Sequence, residues 1–139
     1  MKKLFTLLAL TISFSMNAQW SYNSNGSGIQ SPSNDAGGYR STAIGSSTTA
    51  GGNYSTATGI NTIASDYASL VIGQYNSSGS SATSTNLFST SAPAFVIGNG
   101  ADSSNKSDAF KVLFNGDTTV SGDVVILSDA RLKSNIVSL

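Results

Sequence analysis

The sequence predicts an all-β protein: a parallel β-solenoid of 14-residue coils followed by a short β-meander. Three observations carry this. Gly45, Gly59 and Gly73 recur every 14 residues, and Ala50 and Ala64 share the period. The glycines from Gly37 to Gly79 exclude a helix, since each would cost about 1 kcal/mol there. Beyond residue 93 the apolar residues fall into short runs separated by Asn-Gly and Ser-Gly turns.

The chain begins with an export-signal pattern. Lys2 and Lys3 precede the apolar run from Leu4 to Phe14, and Ala18-Gln19 offers a cleavage point, so residues 1–18 read as a secretory signal peptide. The apolar run is too short for a spanning helix, which needs about 20 apolar residues. No later segment is long enough either, so no membrane insertion is expected, and the protein is expected to be secreted or held at the cell surface. Residues 19–38 show no apolar periodicity and read as a disordered linker.

Residues 39–76 carry the repeat. Ser41, Ser55 and Ser69 align, as do Thr42, Thr56 and Leu70; Ala43, Ala57 and Val71; and Ile44, Thr58 and Ile72. Fourteen residues accommodate two short strands and two tight turns, and such coils must stack to bury an apolar face. Ala43, Ala57 and Val71 form one expected inner ladder, and Ala50 and Ala64 another. The glycines turn the backbone where a Cβ would clash. The Ser and Thr positions suit an exposed β surface. Ile44, Ile60, Ile63 and Ile72 are candidates to face a neighbouring chain.

Residues 77–93 form a Ser-rich loop. Residues 94–127 read as a meander: AFVIGNG, then AFKVLF, an Asn115-Gly116 hairpin turn, a return strand from Asp117 to Val120, and a β-branched run from Asp123 to Leu127. Its larger side chains are expected to supply most of the burial. From Ser128 to Leu139 the texture changes again, and Ser128 is placed to cap a short helix holding Arg131, Leu132, Lys133 and Ile136.

Composition excludes several functions. Among the 139 residues there is no Cys, His or Glu, and seven Asp balance seven Lys and Arg. Disulfide scaffolds, Cys or His metal sites and His-based triads are therefore excluded from this stretch. Seven scattered cations make no footprint for nucleic acid. Gly98-Asn99-Gly100 lacks the third glycine and the helix of a dinucleotide site and reads as a turn. Asp102, Asp108, Asp117 and Asp123 fit no calcium-loop spacing and read as solvated turn residues. No cofactor and no metal are expected. Trp20, Tyr22, Tyr39, Tyr54, Tyr67 and Tyr75 either line a sugar-binding surface or shield solenoid edges.

Two resemblances follow. The repeat, STAIGSSTTAGGN, STATGINTIASD and SLVIGQ, resembles the head repeats of trimeric autotransporter adhesins. That likeness implies a left-handed parallel β-roll with three chains packed into one head, hence a homotrimer. Thr58 and Leu70 depart from the pattern. The terminal SDARLKSNI, residues 128–136, resembles the opening of the endosialidase-type intramolecular chaperone, a self-cleaving domain of tail spikes and surface fibres. FVIGNG and AFKVLFNGDTTVSG resemble the β-rich segment that precedes it. This implies Ser128 as nucleophile, Lys133 as base, and cleavage between Leu127 and Ser128. A lysine serves as base once burial lowers its pKa. Residues 128–139 read as a truncated start of that domain, so the 139-residue chain is expected not to cut itself. The alternative is that Ser128 caps a helix and Lys133 is solvated.

Three functions follow. The first is an exported, trimeric structural or adhesive fibre segment whose host-surface or glycan ligand is not identified. The second is a self-processing tail-fibre precursor carrying the peptidase-chaperone. The third is a monomeric ligand- or ice-binding solenoid, for which Thr56-Ala57-Thr58 is the cue.

Overall fold

A computed structural model describes residues 20–23 and 26–124. Among these the fold is all-β, with no helix. The elements are β1 (Ser21–Tyr22), β2 (Ile29–Gln30), β3 (Thr42–Ser46), β4 (Thr49–Ala50), β5 (Thr56–Ile60), β6 (Ile63–Ala64), β7 (Leu70–Gln74), β8 (Pro93–Asn99), β9 (Asp108–Leu113) and β10 (Thr118–Val120). One sheet has eight strands in the order β1-β2-β3-β5-β7-β8-β9-β10; the other pairs β4 with β6. Strands β2, β3, β5, β7 and β8 run parallel. The chain therefore winds a parallel solenoid of about three turns, and its register steps by 14 residues from Thr42 to Thr56 to Leu70.

The backbone shows a shorter period than the sequence reading found. Ser33, Arg40, Ser47, Tyr54, Asn61, Ala68 and Tyr75 all have positive φ, one every seven residues. Each coil is thus two half-coils, and each half-coil ends in one left-handed residue that redirects the chain. From the Arg40 corner to the Ala68 corner the first and third residues after each corner point inward. They read Ser41 and Ala43, Thr48 and Ala50, Ser55 and Ala57, Thr62 and Ala64, and Ser69 and Val71, all buried. Alternation in a strand places such i, i+2 pairs on one face.

The core is consequently a stack of small side chains: Ala36, Ala43, Ala50, Ala57, Ala64, Val71 and Val96. Both alanine ladders expected from the sequence are present. Two expectations are corrected. Ser41, Ser55 and Ser69 are buried rather than exposed. A small hydroxyl fits beside the turn, and those of Ser41 and Ser69 donate to the carbonyls of Gly38 and Asp66 at 2.8 Å. The residues after 94 do not dominate the burial either, since β9 is only half-buried while the alanine stack is fully enclosed.

Residues 28–38, read from the sequence as part of a linker, belong to the first coil. Strand β2 pairs with β3, and Asp35 bridges Thr49. Asn34, Asp35 and Ala36 are the 14-residue register mates of Thr48, Thr49 and Ala50. Asn34 in place of a hydroxyl residue hid the match. Strand β8, read as the start of the meander, is instead the solenoid's fourth full-length parallel strand. Leu70 pairs with Phe95, 25 residues on, because residues 75–92 loop out between β7 and β8. The meander proper is the antiparallel run β8-β9-β10, turned at Asn115-Gly116 as expected.

Antiparallel hairpins close both ends of the sheet, β1-β2 at one and β9-β10 at the other. Asparagines finish the inner hydroxyl column of Thr48 and Thr62. Asn34 accepts from the Thr48 amide and hydroxyl at 2.8 and 2.7 Å, and donates to three carbonyls. Asn76 accepts from the Ile63 amide at 2.8 Å and donates to the Ile63 and Ser78 carbonyls. A carboxamide has both donor and acceptor capacity, so it satisfies backbone groups that a further coil would otherwise pair.

Candidate functional site

Leu127, Ser128 and Lys133, the residues of the implied cleavage site, lie outside the described residues, as does the segment 1–18. Two surfaces of the solenoid are candidates instead.

The first is the outer face of the eight-stranded sheet. Ala43, Ala57, Val71 and Val96 share the inward row, so the rows on either side of it face out. One outer row runs Ile29, Thr42, Thr56, Leu70, Phe95 and Val112; the other runs Ile44, Thr58, Ile72, Ile97 and Phe110. Phe95 and Phe110 touch, with ring centroids 6.0 Å apart. The bulky apolar residues of this fold therefore lie outside and the small ones inside. Thr42 and Thr56 do not continue as a threonine row, because Leu70 follows them.

The second surface is a corner of the solenoid. Turns 38–41, 52–55 and 66–69 stack on one another, each closed by a serine amide donating to the carbonyl three residues back. Their tips carry Tyr39-Arg40, Asn53-Tyr54 and Tyr67-Ala68. The tyrosines form a ladder: Tyr39 and Tyr54 lie 5.6 Å apart, Tyr54 and Tyr67 5.4 Å, both edge to face. Tyr39 and Tyr54 remain 44% and 45% exposed. Arg40 sits 5.2 Å from the Tyr39 ring centre. The Asn53 carboxamide oxygen accepts from the Tyr39 amide at 2.9 Å. Of the six aromatics singled out in the sequence, only these three meet. Tyr75 occupies the opposite corner, in register with Asn61. Trp20 and Tyr22 flank a separate hollow with Ile29.

The long loop after β7 is tied down by two carboxylates. Asp66 is buried, and its Oδ1 accepts from the Thr83 and Ser84 amides at 2.5 and 2.6 Å; its Oδ2 has no partner. Asp108 accepts from the Ser77 and Ser78 amides at 2.8 and 2.9 Å. The loop then runs beside the tyrosine corner, where Asn53 and Tyr67 donate their amides to Thr85 and Ser84. Its outermost residues are Leu87 and Phe88, the latter against Phe114 at 5.0 Å. Asp102 and Asp117 hold local turns through Asn105 and Asn115. Hydrogen bonds from the Asn105 side chain, then from the Ser104 and Asn105 amides, hold the Asp102 carboxyl below its ordinary pKa of 3.8. Among the described residues no group of three or more Asp side chains converges as a metal site would require.

The tyrosine corner was not legible as a ladder, because Tyr39 and Tyr67 occupy one register position while Tyr54 occupies the next. The seven-residue series of Ser/Thr-x-Ala was the signal that would have placed them on one edge. Comparison with family models, with curated proteins and with solved structures returned no match.

Proposed function

We propose that the protein is an exported structural or adhesive fibre segment that works as a homotrimer, its parallel solenoid coiled left-handed as in the adhesin heads its repeats resemble. The observation that carries this reading is the outer face of the eight-stranded sheet. Leu70 is exposed there, and Ile44, Ile72, Phe95, Ile97 and Phe110 are half-buried, lying beside one another on the sheet face rather than inside it. A contiguous apolar patch left partly open to solvent is the kind of surface that marks an interaction site. A copy of the same face supplies the matching rows, and closed symmetry uses one patch on every subunit. Export rests on the layout of residues 1–18. Ser128 and Lys133 then belong to a precursor, in which Lys133 accepts the Ser128 hydroxyl proton and the bond after Leu127 is cut.

The test is the molar mass by light scattering of the protein recovered from outside its own cells, joined to its intact mass by spectrometry. A trimer that Ile72→Asp converts to monomer supports the fibre reading. A wild-type monomer at high concentration refutes it. A C-terminus at Leu127 supports processing before Ser128, and a C-terminus at Leu139 removes that step.

A further inference from the structure

We propose that the tyrosine corner is a carbohydrate-binding edge, taking an extended glycan chain along the stacking axis of the coils. This rests on the adhesive part of the reading above and not on trimer formation.

The first argument is conformational. Tyr54 has φ +61° and Arg40 has φ +51°. Glycine and asparagine occupy such positions at least cost, and a bulky residue there is an outlier. Of the other solenoid corners, Ser33, Ser47, Asn61 and Ala68 carry small or turn-favouring residues, and Tyr75, at φ +43° on the opposite corner, carries a tyrosine as Tyr54 does. Ala68, one coil on at the same corner, shows that a small residue suffices there, and Tyr54 contributes nothing to the enclosed alanine stack. Strain held at an exposed side chain points to use of that side chain.

The second argument is chemical. A sugar ring offers an apolar face of C–H bonds and a rim of hydroxyls. It is bound by aromatic rings set among hydrogen-bonding groups. Tyr39, Tyr54 and Tyr67 supply three rings, and their phenol hydroxyls bond no other described residue. Arg40 forms no ion pair with a described residue and leaves its planar fork available beside Tyr39. The loop backbone at Thr85 flanks the ladder on its far side.

The third argument is geometric. Coils stack at the strand spacing, about 4.8 Å, and the ring centres are 5.6 and 5.4 Å apart. That step is about one ring of an extended β-linked chain. Edge-to-face contacts hold each tyrosine against the next, so little side-chain freedom is lost on binding. Neutral and uronic chains share this chemistry, and Arg40 distinguishes them through a carboxylate.

The test is isothermal titration of the full chain with three hexasaccharides: β-1,4-linked glucose, β-1,4-linked N-acetylglucosamine, and β-1,4-linked glucuronate. At least one binds, and Tyr54→Asn weakens that binding by about tenfold or more. The same variant keeps the wild-type circular dichroism spectrum and a cooperative melt, because asparagine accepts the left-handed corner and only the two ring contacts of Tyr54 at the surface are lost. If the bound hexamer is the glucuronate, Arg40→Gln weakens it as well; if it is neutral, Arg40→Gln changes it less than Tyr54→Asn does. Tyr22→Ala, which alters the separate hollow lined by Trp20 and Ile29, leaves binding unchanged. The proposal is overturned if none of the three binds at millimolar concentration, if Tyr54→Asn binds as wild type, or if Tyr22→Ala loses binding equally. The light-scattering mass of Tyr54→Asn equals that of wild type, so failure here leaves the trimer question to its own measurement.

Discussion

Gly59→Ala tests whether the glycine column is what lets the coils approach. Gly59 has φ +129°, a region closed to ordinary L-residues, and that strain costs about 1–3 kcal/mol. A Cβ built on Gly59 would lie closer than 3.0 Å to the carbonyl oxygen of Gly73 in the next coil. That oxygen belongs to a strand and cannot rotate away, so β5 and β7 must separate around the Gly59–Gly73 pair. Losing about two ladder hydrogen bonds adds about 2 kcal/mol. The sum is about 3–5 kcal/mol, a large part of the 5–15 kcal/mol that holds a domain together. At about 4–8 °C per kcal/mol, the melting temperature should fall by about 12 °C or more. Gly51 is the internal control. Its Cβ would meet nothing nearer than the Ser65 Cα at 4.0 Å, and its φ is not left-handed. Gly51→Ala should therefore gain about 0.4–1 kcal/mol by restricting the unfolded chain. Urea and thermal unfolding followed by far-ultraviolet circular dichroism measure both. Equal stabilities for the two variants, or a Gly59→Ala protein within about 1 kcal/mol of wild type, would refute the stacking argument.

Three further outcomes are expected. Thr62 is buried with no partner for its hydroxyl, whereas the Thr48 hydroxyl donates to Asn34 at 2.7 Å. Thr62→Val should therefore be neutral or stabilising, and Thr48→Val should cost about 1–2 kcal/mol, both read from urea midpoints. Asp66→Ala removes the acceptor for the Thr83 and Ser84 amides, so chymotrypsin should cut at the exposed Leu87 and Phe88 at least severalfold faster, with the solenoid strands still protected in hydrogen exchange. Asp102 titrates below its ordinary value in the folded state. The depressed carboxyl stabilises its turn above the unfolded pKa, and this is lost as pH falls through the lower folded value. Amide chemical shifts of Ser104 and Asn105 should follow that acid step, and Asp102→Asn should abolish it.

The parallel stack was legible because its inner face tolerates almost nothing but Ala, Ser and Thr, so the 14-residue period survives in the letters themselves. Gly45, Gly59 and Gly73 marked it for the same reason, each being forced by a carbonyl in the next coil. The true half-coil of seven residues was harder to see. Its left-handed corners carry Ser, Arg, Tyr, Asn and Ala, a mixture with no common residue type. The first coil was missed because Asn34 and Asp35 replace hydroxyl residues there. Strand β8 was assigned to the meander because the inserted loop breaks the register ahead of Phe95. The grouping of Tyr39, Tyr54 and Tyr67 depends on how adjacent register positions share one corner, and only the stacked backbone reveals that. The cleavage residues rest on local resemblance in a segment outside the described residues.

The distribution of side chains argues that stability and association are linked. A globular monomer places its largest apolar residues inside, but here the enclosed apolar positions hold five alanines with nothing larger than Val71 and Val96 beside them. Each buried CH₂-sized group is worth about 0.8 kcal/mol, while ordering one residue's backbone costs about 1–2 kcal/mol. Two small inward residues per seven cannot offset that cost by burial alone. Backbone hydrogen bonds between coils contribute, at about 1 kcal/mol each. The remaining apolar area available is the outer rows, where Leu70, Ile72, Phe95, Ile97 and Phe110 stand together. Covering them with a second and third copy would supply what the thin interior lacks. Mass action then requires the unfolding midpoint to rise with protein concentration, since a partner that binds the folded chain stabilises it in proportion to its occupancy. A midpoint independent of concentration would mean that the alanine stack and its hydrogen bonds suffice, and that the outer face serves some other partner than a copy of itself.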